Sequence, residues 1–199
     1  MMVAGKDATT DSSVMVARSC DALGDNALQV LAVPRKKHNP GEVLRFPKSV
    51  TPKGDVVELP QVTETYAYLG IMSVLEGEDI STADGGINEF QVSAGASTGG
   101  ILNKKAEEVC PRMPASIGDY RCTLVLERCK TAREGVILIG ELAEKYGART
   151  DNYIVADPNE AWIYEEYRGR LWVAARIPDD CFFIEANTFR IEEVDLEDH

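Results

Sequence analysis

Histidine is nearly absent from this 199-residue chain. The two histidines, His38 and His199, stand in a basic loop (RKKHNPG) and at the last position. Serine–histidine–aspartate triads, cysteine–histidine pairs and histidine-ligated metal sites all need a better-placed imidazole. The scarcity therefore predicts that any hydrolytic chemistry uses another base, and we expect neither a metal nor a cofactor.

Long apolar runs, common enzyme motifs and positive charge are also lacking. No apolar stretch approaches the ~18 residues that cross a bilayer, and GxGxxG, GxxxxGK[ST], HExxH and GxSxG are absent. Lys and Arg number 21 against 33 Asp and Glu, which gives a net charge of -12. Such an excess repels phosphate backbones and anionic lipids, so we expect neither nucleic acid nor membrane as a partner.

The cysteines form no recognisable framework. Their number is odd, their spacing is irregular and no CxxC pair occurs. The pattern therefore suggests neither a disulfide framework nor a zinc site. Reduced thiols and a cytoplasmic location are the expectation. The five are Cys20, Cys110, Cys122, Cys129 and Cys181.

The first half of the chain carries strand patterns. The apolar runs Val14–Ala17 and Leu28–Val33 and the alternating stretch Gln61–Ile71 predict strands. Gly85 and Gly86 predict a tight turn before another extended stretch.

A helical region and a second group of strands follow. Apolar spacing predicts helices over Gly118–Lys130 and Thr131–Tyr146, the second opened by a T-x-x-E capping box and ended by Gly147. Arg168-Gly169 predicts a hairpin turn between two of the later strands. Segregated runs of strands and helices favour an α+β fold with antiparallel sheets. The later strands are expected at Tyr153–Ala156, Ala161–Tyr167, Leu171–Ile177 and Cys181–Glu185.

A cation and an anion end the first predicted strand. Arg18 follows Ala17 directly, and Asp21 lies three residues further on. Alone, such a pair is typical of a surface ion pair of little energetic weight. Its meaning depends on the other polar signatures at strand ends.

Five such signatures occur in a familiar order. They are GKDATTDSSVMVARSCD, GGINEFQVSAG, LERCKTAREGVILIGELAEKYG, IVADPNEAWIYE, and WVAARIPDD running to ANTFRIEEVDLED. In this order and spacing the chain resembles the N-terminal half of the cysteine-nucleophile dipeptidases and the related secernins. These are N-terminal-nucleophile (Ntn) hydrolases, like penicillin V acylases and bile salt hydrolases. The resemblance implies an αββα sandwich with largely antiparallel sheets.

The resemblance also assigns roles. In such enzymes an N-terminal cysteine attacks an amide carbonyl, and its own α-amino group acts as the base. It implies that Arg18 favours the thiolate and that Asp21 holds the α-ammonium group, as catalytic residues. It implies substrate binding by Asn88, Thr98 and Asp157. The side-chain amide of Asn88 could donate a hydrogen bond to an oxyanion. For Asn88 and Asp157 the residues equally fit turn-closing roles after Gly85-Gly86 and before Pro158.

The chain departs from the family pattern at both ends. The matching cysteine would lie roughly two residues before Met1, and Cys20, which has no free amine, cannot replace it. Where the family reads T-E, this chain has Ser97-Thr98. We therefore expect residues 1–199 to form a single Ntn-hydrolase-like domain lacking the extreme N-terminus and the C-terminal half.

The expected activity is dipeptide hydrolysis, with a dipeptide as the partner molecule and a homo-oligomer as a possible state. The chain as written is expected to be inactive. Two alternatives stay open: a catalytically inactive, secernin-like binding protein, and an amidase of the acylase and bile-salt-hydrolase type.

Overall fold

Fourteen strands and three α-helices build the described part of the protein. The computed structural model describes residues 1–19, 28–46, 57–73, 82–110, 117, 118, 120–195 and 197. The helices are α1 (Lys104–Val109), α2 (Tyr120–Arg128) and α3 (Ala132–Tyr146), and a short 3-10 helix spans Lys6–Ala8. The strands are β1 (Met2–Ala4), β2 (Met15–Ala17), β3 (Leu28–Val33), β4 (Lys36–Lys37), β5 (Val43–Phe46), β6 (Val57–Pro60), β7 (Glu64–Thr65), β8 (Tyr68–Ser73), β9 (Thr82–Asn88), β10 (Ser93–Thr98), β11 (Asp151–Ala156), β12 (Ala161–Glu166), β13 (Trp172–Ile177) and β14 (Phe182–Ile184).

Two antiparallel sheets organise these strands. The large sheet has the order β13-β12-β11-β10-β9-β8-β3, and the small sheet has the order β14-β1-β2. Two further strand pairs, β4-β7 and β5-β6, form separate two-stranded sheets. Each strand pair in these ranges is antiparallel, as the segregated sequence pattern predicts.

Helices α2 and α3 cover one face of the large sheet. Val125 and Leu126 of α2 and Ile139 of α3 share a buried cluster with Tyr153 and Val155 of β11. Alternate residues of a strand point to the same face. The helix layer therefore packs on the side to which the odd-numbered residues of β11 point.

The small sheet covers the other face. Ile154 and Ala156 of β11 pack in a second cluster with Val3 of β1, Val16 of β2 and Phe183 of β14. The result is three layers: helices, large sheet, small sheet. The expected stacking of two antiparallel sheets is confirmed, and α2 and α3 form a helix layer on one outer face.

The start and end of α3 follow the sequence signals. Thr131 Oγ1 accepts a hydrogen bond from the Glu134 N–H at 3.2 Å, and the Glu134 carboxylate accepts one from the Lys130 N–H at 2.7 Å. Gly147 ends the helix with φ 94°, a backbone conformation that favours glycine. The predicted hairpin is also confirmed, since β12 pairs with β13 and Arg168 and Gly169 both have positive φ.

The predicted turn at Gly85-Gly86 is wrong. Both glycines lie inside β9, and the turn comes after it, at Glu89 and Phe90. A Cβ atom on Gly86 would collide with the Leu69 carbonyl oxygen of β8 and would lie 2.8 Å from Leu126 Cδ1 of α2. The close approach of the β8 backbone and of α2, and not a change of chain direction, requires glycine here.

The stretch Gln61–Ile71 does not form the one continuous strand that its alternation predicts. It divides into β7, which belongs to a two-stranded sheet, and β8, which belongs to the large sheet. None of the described helices is long and apolar enough to cross a membrane.

Candidate active site

A pocket of about 720 Å³ lies on the face of the large sheet that the small sheet only partly covers. Its walls come from the segment that leads into β2, from β2 itself, and from β3, β8, β9 and β10. Most of the lining is apolar. The apolar side chains are Val14, Met15, Val16, Val30, Leu69, Ile71, Ile87, Ala94, Ala156 and Pro158.

Arg18 reaches this pocket from the end of β2. Val14 and Val16 contact the core between the two sheets, so the next alternate side chain, Arg18, follows on the same face. Its Nε donates a hydrogen bond to the Ala96 carbonyl oxygen at 2.7 Å, and its guanidinium lies 3.9 Å from an Asp84 carboxylate oxygen. The cation is therefore held across the central strands of the large sheet with 19% of its side chain exposed.

The start of β1 lies beside Arg18. Met2 pairs with Ala17 across the small sheet, so Met1 stands at the level of Arg18. A Cβ atom on Gly95 would touch both Met1 Sδ, at 3.5 Å, and Arg18 Cδ, at 3.8 Å. Arg18 thus lies beside the first residue of the chain. Asp21 lies outside the described residues, and its role stays a prediction.

Glu185 holds Met1 in place on the side opposite β2. The sequence analysis did not identify this residue. Its backbone exchanges two hydrogen bonds with Met1, at 2.5 Å and 2.9 Å. Its carboxylate accepts from Ser97 Oγ at 3.0 Å and 3.1 Å and from Asn152 Nδ2 at 2.8 Å, with 2% of the residue exposed. Burial raises the pKa of Glu185, against the opposing effect of these two hydrogen bonds. The one signal available was an acidic residue ending an apolar strand.

Asn88 stands apart from the pocket. Its Nδ2 donates to the carbonyl oxygens of Leu126 and Cys129, at 3.0 Å and 2.7 Å, on the helix side of the sheet. Its Oδ1 accepts from the N–H groups of Phe90 and Val92. Because the side-chain amide is saturated by backbone groups, its contacts support the turn-closing interpretation and not oxyanion binding.

Asp157 lines the pocket, but its carboxylate serves the backbone. Oδ2 accepts from the Ala132 N–H at 2.7 Å, and Oδ1 accepts from the N–H groups of Asn159 and Glu160. One carboxylate thus closes the turn between β11 and β12 and caps the N-terminus of α3, where negative charge is favoured. These contacts favour the turn role here too.

Thr98 also lies outside the pocket. It is exposed at the far end of β10, opposite Asp151, and its carbonyl oxygen accepts a hydrogen bond from Asn187 Nδ2 at 2.9 Å. Of the three residues predicted to bind substrate, the structure brings only Asp157 to the pocket with Arg18.

The described cysteines are not placed for catalysis. Cys110, Cys122 and Cys129 are buried, and burial raises the pKa of the Cys129 thiol to about 12. Cys181 is exposed, and desolvation and the Asp180 carboxylate raise its pKa. None of these four lines the pocket. The described residues also contain no group of three or more His, Cys, Asp or Glu side chains that could hold a metal ion.

The sequence as a whole matches one peptidase family. Residues 1–199 correspond to peptidase family C69. The chain belongs to family C69. The resemblance to Ntn-type dipeptidases drawn from the five signatures is thereby confirmed.

Named relatives in this family are dipeptidases. A probable dipeptidase of Latilactobacillus sakei is 33% identical over 199 residues, which covers 99% of this chain and 41% of that protein. Probable dipeptidase A of Streptococcus pyogenes serotype M3 is 31% identical over 198 residues, with 98% and 41% covered. A dipeptidase of Bifidobacterium longum is 30% identical over 212 residues, with 99% and 38% covered. The chain spans about two fifths of the length of these relatives.

A solved structure supports the fold of this family C69 chain. A mutant conjugated bile acid hydrolase from Clostridium perfringens matches with a TM-score of 0.55 and 13% identity, over 88% of this chain and 50% of that one. At this identity the likeness establishes the fold alone. The predicted α+β Ntn-hydrolase fold is therefore confirmed over the part that the two chains share.

Proposed function

We propose that the protein containing this chain is a dipeptidase that cleaves its substrate with an N-terminal cysteine, and that Arg18 and Asp21 serve that cysteine. The observation that carries the proposal is the meeting of Arg18 with the start of β1 at the edge of an apolar pocket. Membership of family C69 supports the reaction class.

The register of β1 indicates where such a cysteine would stand. Met2 pairs with Ala17 and Val3 pairs with Val16, so Met1 lies opposite Arg18. A residue added before Met1 would continue this strand beyond Arg18. The hydrogen bonds between Met1 and Glu185 already continue the ladder on the other side. We expect residues added before Met1 to continue β1 in the same direction.

Side-chain alternation sets the direction of the thiol. Met1 and Val3 both contact the core between the sheets, so a residue two positions before Met1 points to the same face. That face also carries Arg18. Diagonal neighbours on adjacent strands lie about 7–8 Å apart, within reach of a long side chain.

The chemistry follows from this placement. The Arg18 guanidinium lowers the free energy of the thiolate relative to the thiol. The α-amino group, with an ordinary pKa of about 7.7–8.0, accepts the thiol proton at neutral pH and later protonates the leaving amine. Thiolate attack gives an acyl-enzyme thioester and releases the C-terminal amino acid, and water then hydrolyses the thioester. Asp21 holds the α-ammonium group through these steps.

The test adds the nucleophile to the chain. Cys-Thr is placed before Met1, with any downstream sequence that the reading frame encodes, and is compared with a matched Ser-Thr extension. We expect dipeptide hydrolysis from the cysteine form and at least ~10³-fold less from the serine form. Equal rates from the two forms would refute the proposal.

A second measurement does not depend on turnover. The rate of iodoacetamide alkylation of the added cysteine is followed against pH by peptide mass mapping, in a Cys181→Ser background. Arg18→Gln should shift this profile to higher pH because the thiolate loses a nearby cation. Arg45→Gln, at an exposed ion pair with Glu58 remote from the pocket lining, is the control and should leave the profile unchanged.

A further inference from the structure

We propose that the pocket beside Arg18 takes the side chain of the N-terminal residue of the dipeptide, and that this side chain must be large and apolar. The inference rests on the proposed function, because the reacting carbonyl is placed at the Arg18 end of the pocket. It adds to that function a substrate class: dipeptides of the type Phe-Xaa or Leu-Xaa.

The pocket walls offer apolar surface from several separate strands. Ile87 of β9, Leu69 and Ile71 of β8 and Val30 of β3 are between 37% and 70% exposed, although they stand on one continuous sheet face. Val14 and Val16 close the opposite side. Apolar surface of this kind gains free energy when an apolar ligand group covers it.

Polar groups in the walls are largely occupied within the chain. Ser93 Oγ donates to the Gly86 carbonyl oxygen at 3.0 Å, and Ser13 Oγ donates to Asp11 Oδ1 at 2.7 Å. The Asp157 carboxylate accepts three backbone N–H groups. Away from Arg18, a charged or strongly polar ligand side chain would lose its water against these walls without gaining matching partners, which costs free energy.

Glycines form the floor of the pocket at its reactive end, where Met1 and Arg18 lie against the sheet. Gly85 and Gly95 lie side by side on β9 and β10, directly beneath Arg18. A Cβ atom on Gly95 would be in van der Waals contact with Met1 Sδ, at 3.5 Å, and with Arg18 Cδ, at 3.8 Å, so a larger side chain there would displace both from this end of the pocket. The floor adjoins Met1 and Arg18, so a residue bound with its carbonyl there would direct its side chain into the pocket.

The pocket has room for a whole dipeptide with a large side chain. A volume of about 720 Å³ lies within the range of roughly 300–1,000 Å³ typical of small-molecule sites. A hydrophobic site discriminates by roughly ten-fold or more for each apolar group that fills it.

The experiment measures binding, which needs no nucleophile. The 199-residue chain is titrated with Phe-Gly, Leu-Gly, Ser-Gly and Glu-Gly while the methyl signals of Ile87 and Leu69 are followed by NMR. We expect Phe-Gly and Leu-Gly to shift these signals and to bind at least ~10-fold more tightly than Ser-Gly and Glu-Gly.

Two variants and a control locate the site. Gly95→Val fills the floor and should reduce Phe-Gly binding by ~10-fold or more, and Ile87→Ser removes wall surface and should weaken it by roughly 5-fold. Ile101→Ser changes an apolar residue that is 98% exposed and outside the pocket lining, and should have no effect. Far-UV circular dichroism and the methyl spectrum establish that each variant is folded.

Several outcomes would overturn the inference: Ser-Gly or Glu-Gly binding as tightly as Phe-Gly, no methyl shift with any dipeptide, or unchanged binding by folded Gly95→Val. Failure of the proposed function looks different. If Phe-Gly binds selectively but the Cys-Thr extended chain hydrolyses nothing, the pocket preference stands and the dipeptidase proposal falls. If the extended chain hydrolyses all four dipeptides equally, the dipeptidase proposal stands and the pocket preference falls.

Discussion

The Glu185 carboxylate is buried between the two sheets, at the point where the N-terminal strand meets β14. Its partners Ser97 and Asn152 belong to neighbouring strands of the large sheet, so one side chain joins the small sheet to the large one. Its backbone holds Met1 at the level of Arg18. The placement of the proposed reactive end therefore depends on a residue that does not line the pocket.

The raised pKa of Glu185 predicts a pH-dependent stability. Between its ordinary value of 4.5 and the higher native value, the folded state binds more protons than the unfolded state, so the free energy of unfolding falls as pH rises. Glu185→Gln lacks this ionisation. We therefore expect the Glu185→Gln variant to gain stability relative to the unmutated chain as pH rises from 4 to 7. The quantity measured is the difference between their free energies of unfolding, obtained by urea denaturation. Glu141→Gln, on the exposed face of α3, is the control, and a difference for Glu185→Gln that is constant or falls would contradict the prediction.

Gly140 in α3 gives a second prediction for a single residue. A Cβ atom there would lie 2.5 Å from Trp172 Cζ2, and the indole is held by stacking on Tyr164 and by a 3.0 Å hydrogen bond to Glu144. Gly140→Ala should therefore destabilise the fold by about 1–3 kcal/mol through overpacking, which outweighs the ~1 kcal/mol gain in helix propensity. In a Trp172→Leu background the same change should become neutral or stabilising in thermal denaturation. A loss of the same size in both backgrounds would exclude the steric explanation.

Helix α2 is joined to β12 and to the end of α3 by one buried cation. The Arg121 guanidinium donates to the Glu166 carboxylate, to the Gly147 carbonyl oxygen at 2.6 Å and to Tyr153 Oη at 3.3 Å. Arg121 and Glu166 are both fully buried. Because an isolated buried charge is very costly, the two side chains depend on each other.

Arg121→Met should therefore be strongly destabilising. Removing one partner leaves the Glu166 charge buried, and we expect a loss of about 3–5 kcal/mol in chemical denaturation. The double variant Arg121→Met/Glu166→Leu should recover part of that loss. Arg45→Met is the control, because its ion pair with Glu58 is solvent-exposed and should contribute at most about 1 kcal/mol. A double variant no more stable than Arg121→Met would count against the explanation.

Local signals predicted the elements well where a single segment determines the structure. Helix α3 begins after Thr131 and ends at Gly147 because capping and positive φ are short-range effects. The Gly85-Gly86 prediction failed because the need for glycine at Gly86 comes from the Leu69 carbonyl oxygen of β8 and from Leu126 of α2, which both lie outside the local sequence. The same limit applies to the candidate site. The Arg18 signal is local, whereas Glu185 and Asn88 depend on partners that lie far from them in the sequence.

In the described part of the molecule, the two faces of the large sheet differ in how much of their apolar surface is buried. The helix layer buries one face of the large sheet, but Val30, Leu69 and Ile87 on the other face stay partly exposed around the pocket. The small sheet covers the neighbouring strands and carries Arg18 to the boundary between covered and uncovered surface. The three layers thus place a cation, the start of a strand and an apolar pocket at one point.

This arrangement predicts that the 199-residue polypeptide, made with Met1 as its first residue, does not hydrolyse dipeptides above background. The proposed mechanism needs a thiol and a free amine on one residue, and Met1 supplies only the amine. Loss of a catalytic nucleophile typically lowers kcat by several orders of magnitude. The measurement is release of free amino acid from Phe-Gly and Leu-Gly. Turnover that persists after all five cysteines are changed to Ala would place the nucleophile on another residue, and the roles proposed for Arg18 and Asp21 would fall with the thiol they are meant to serve.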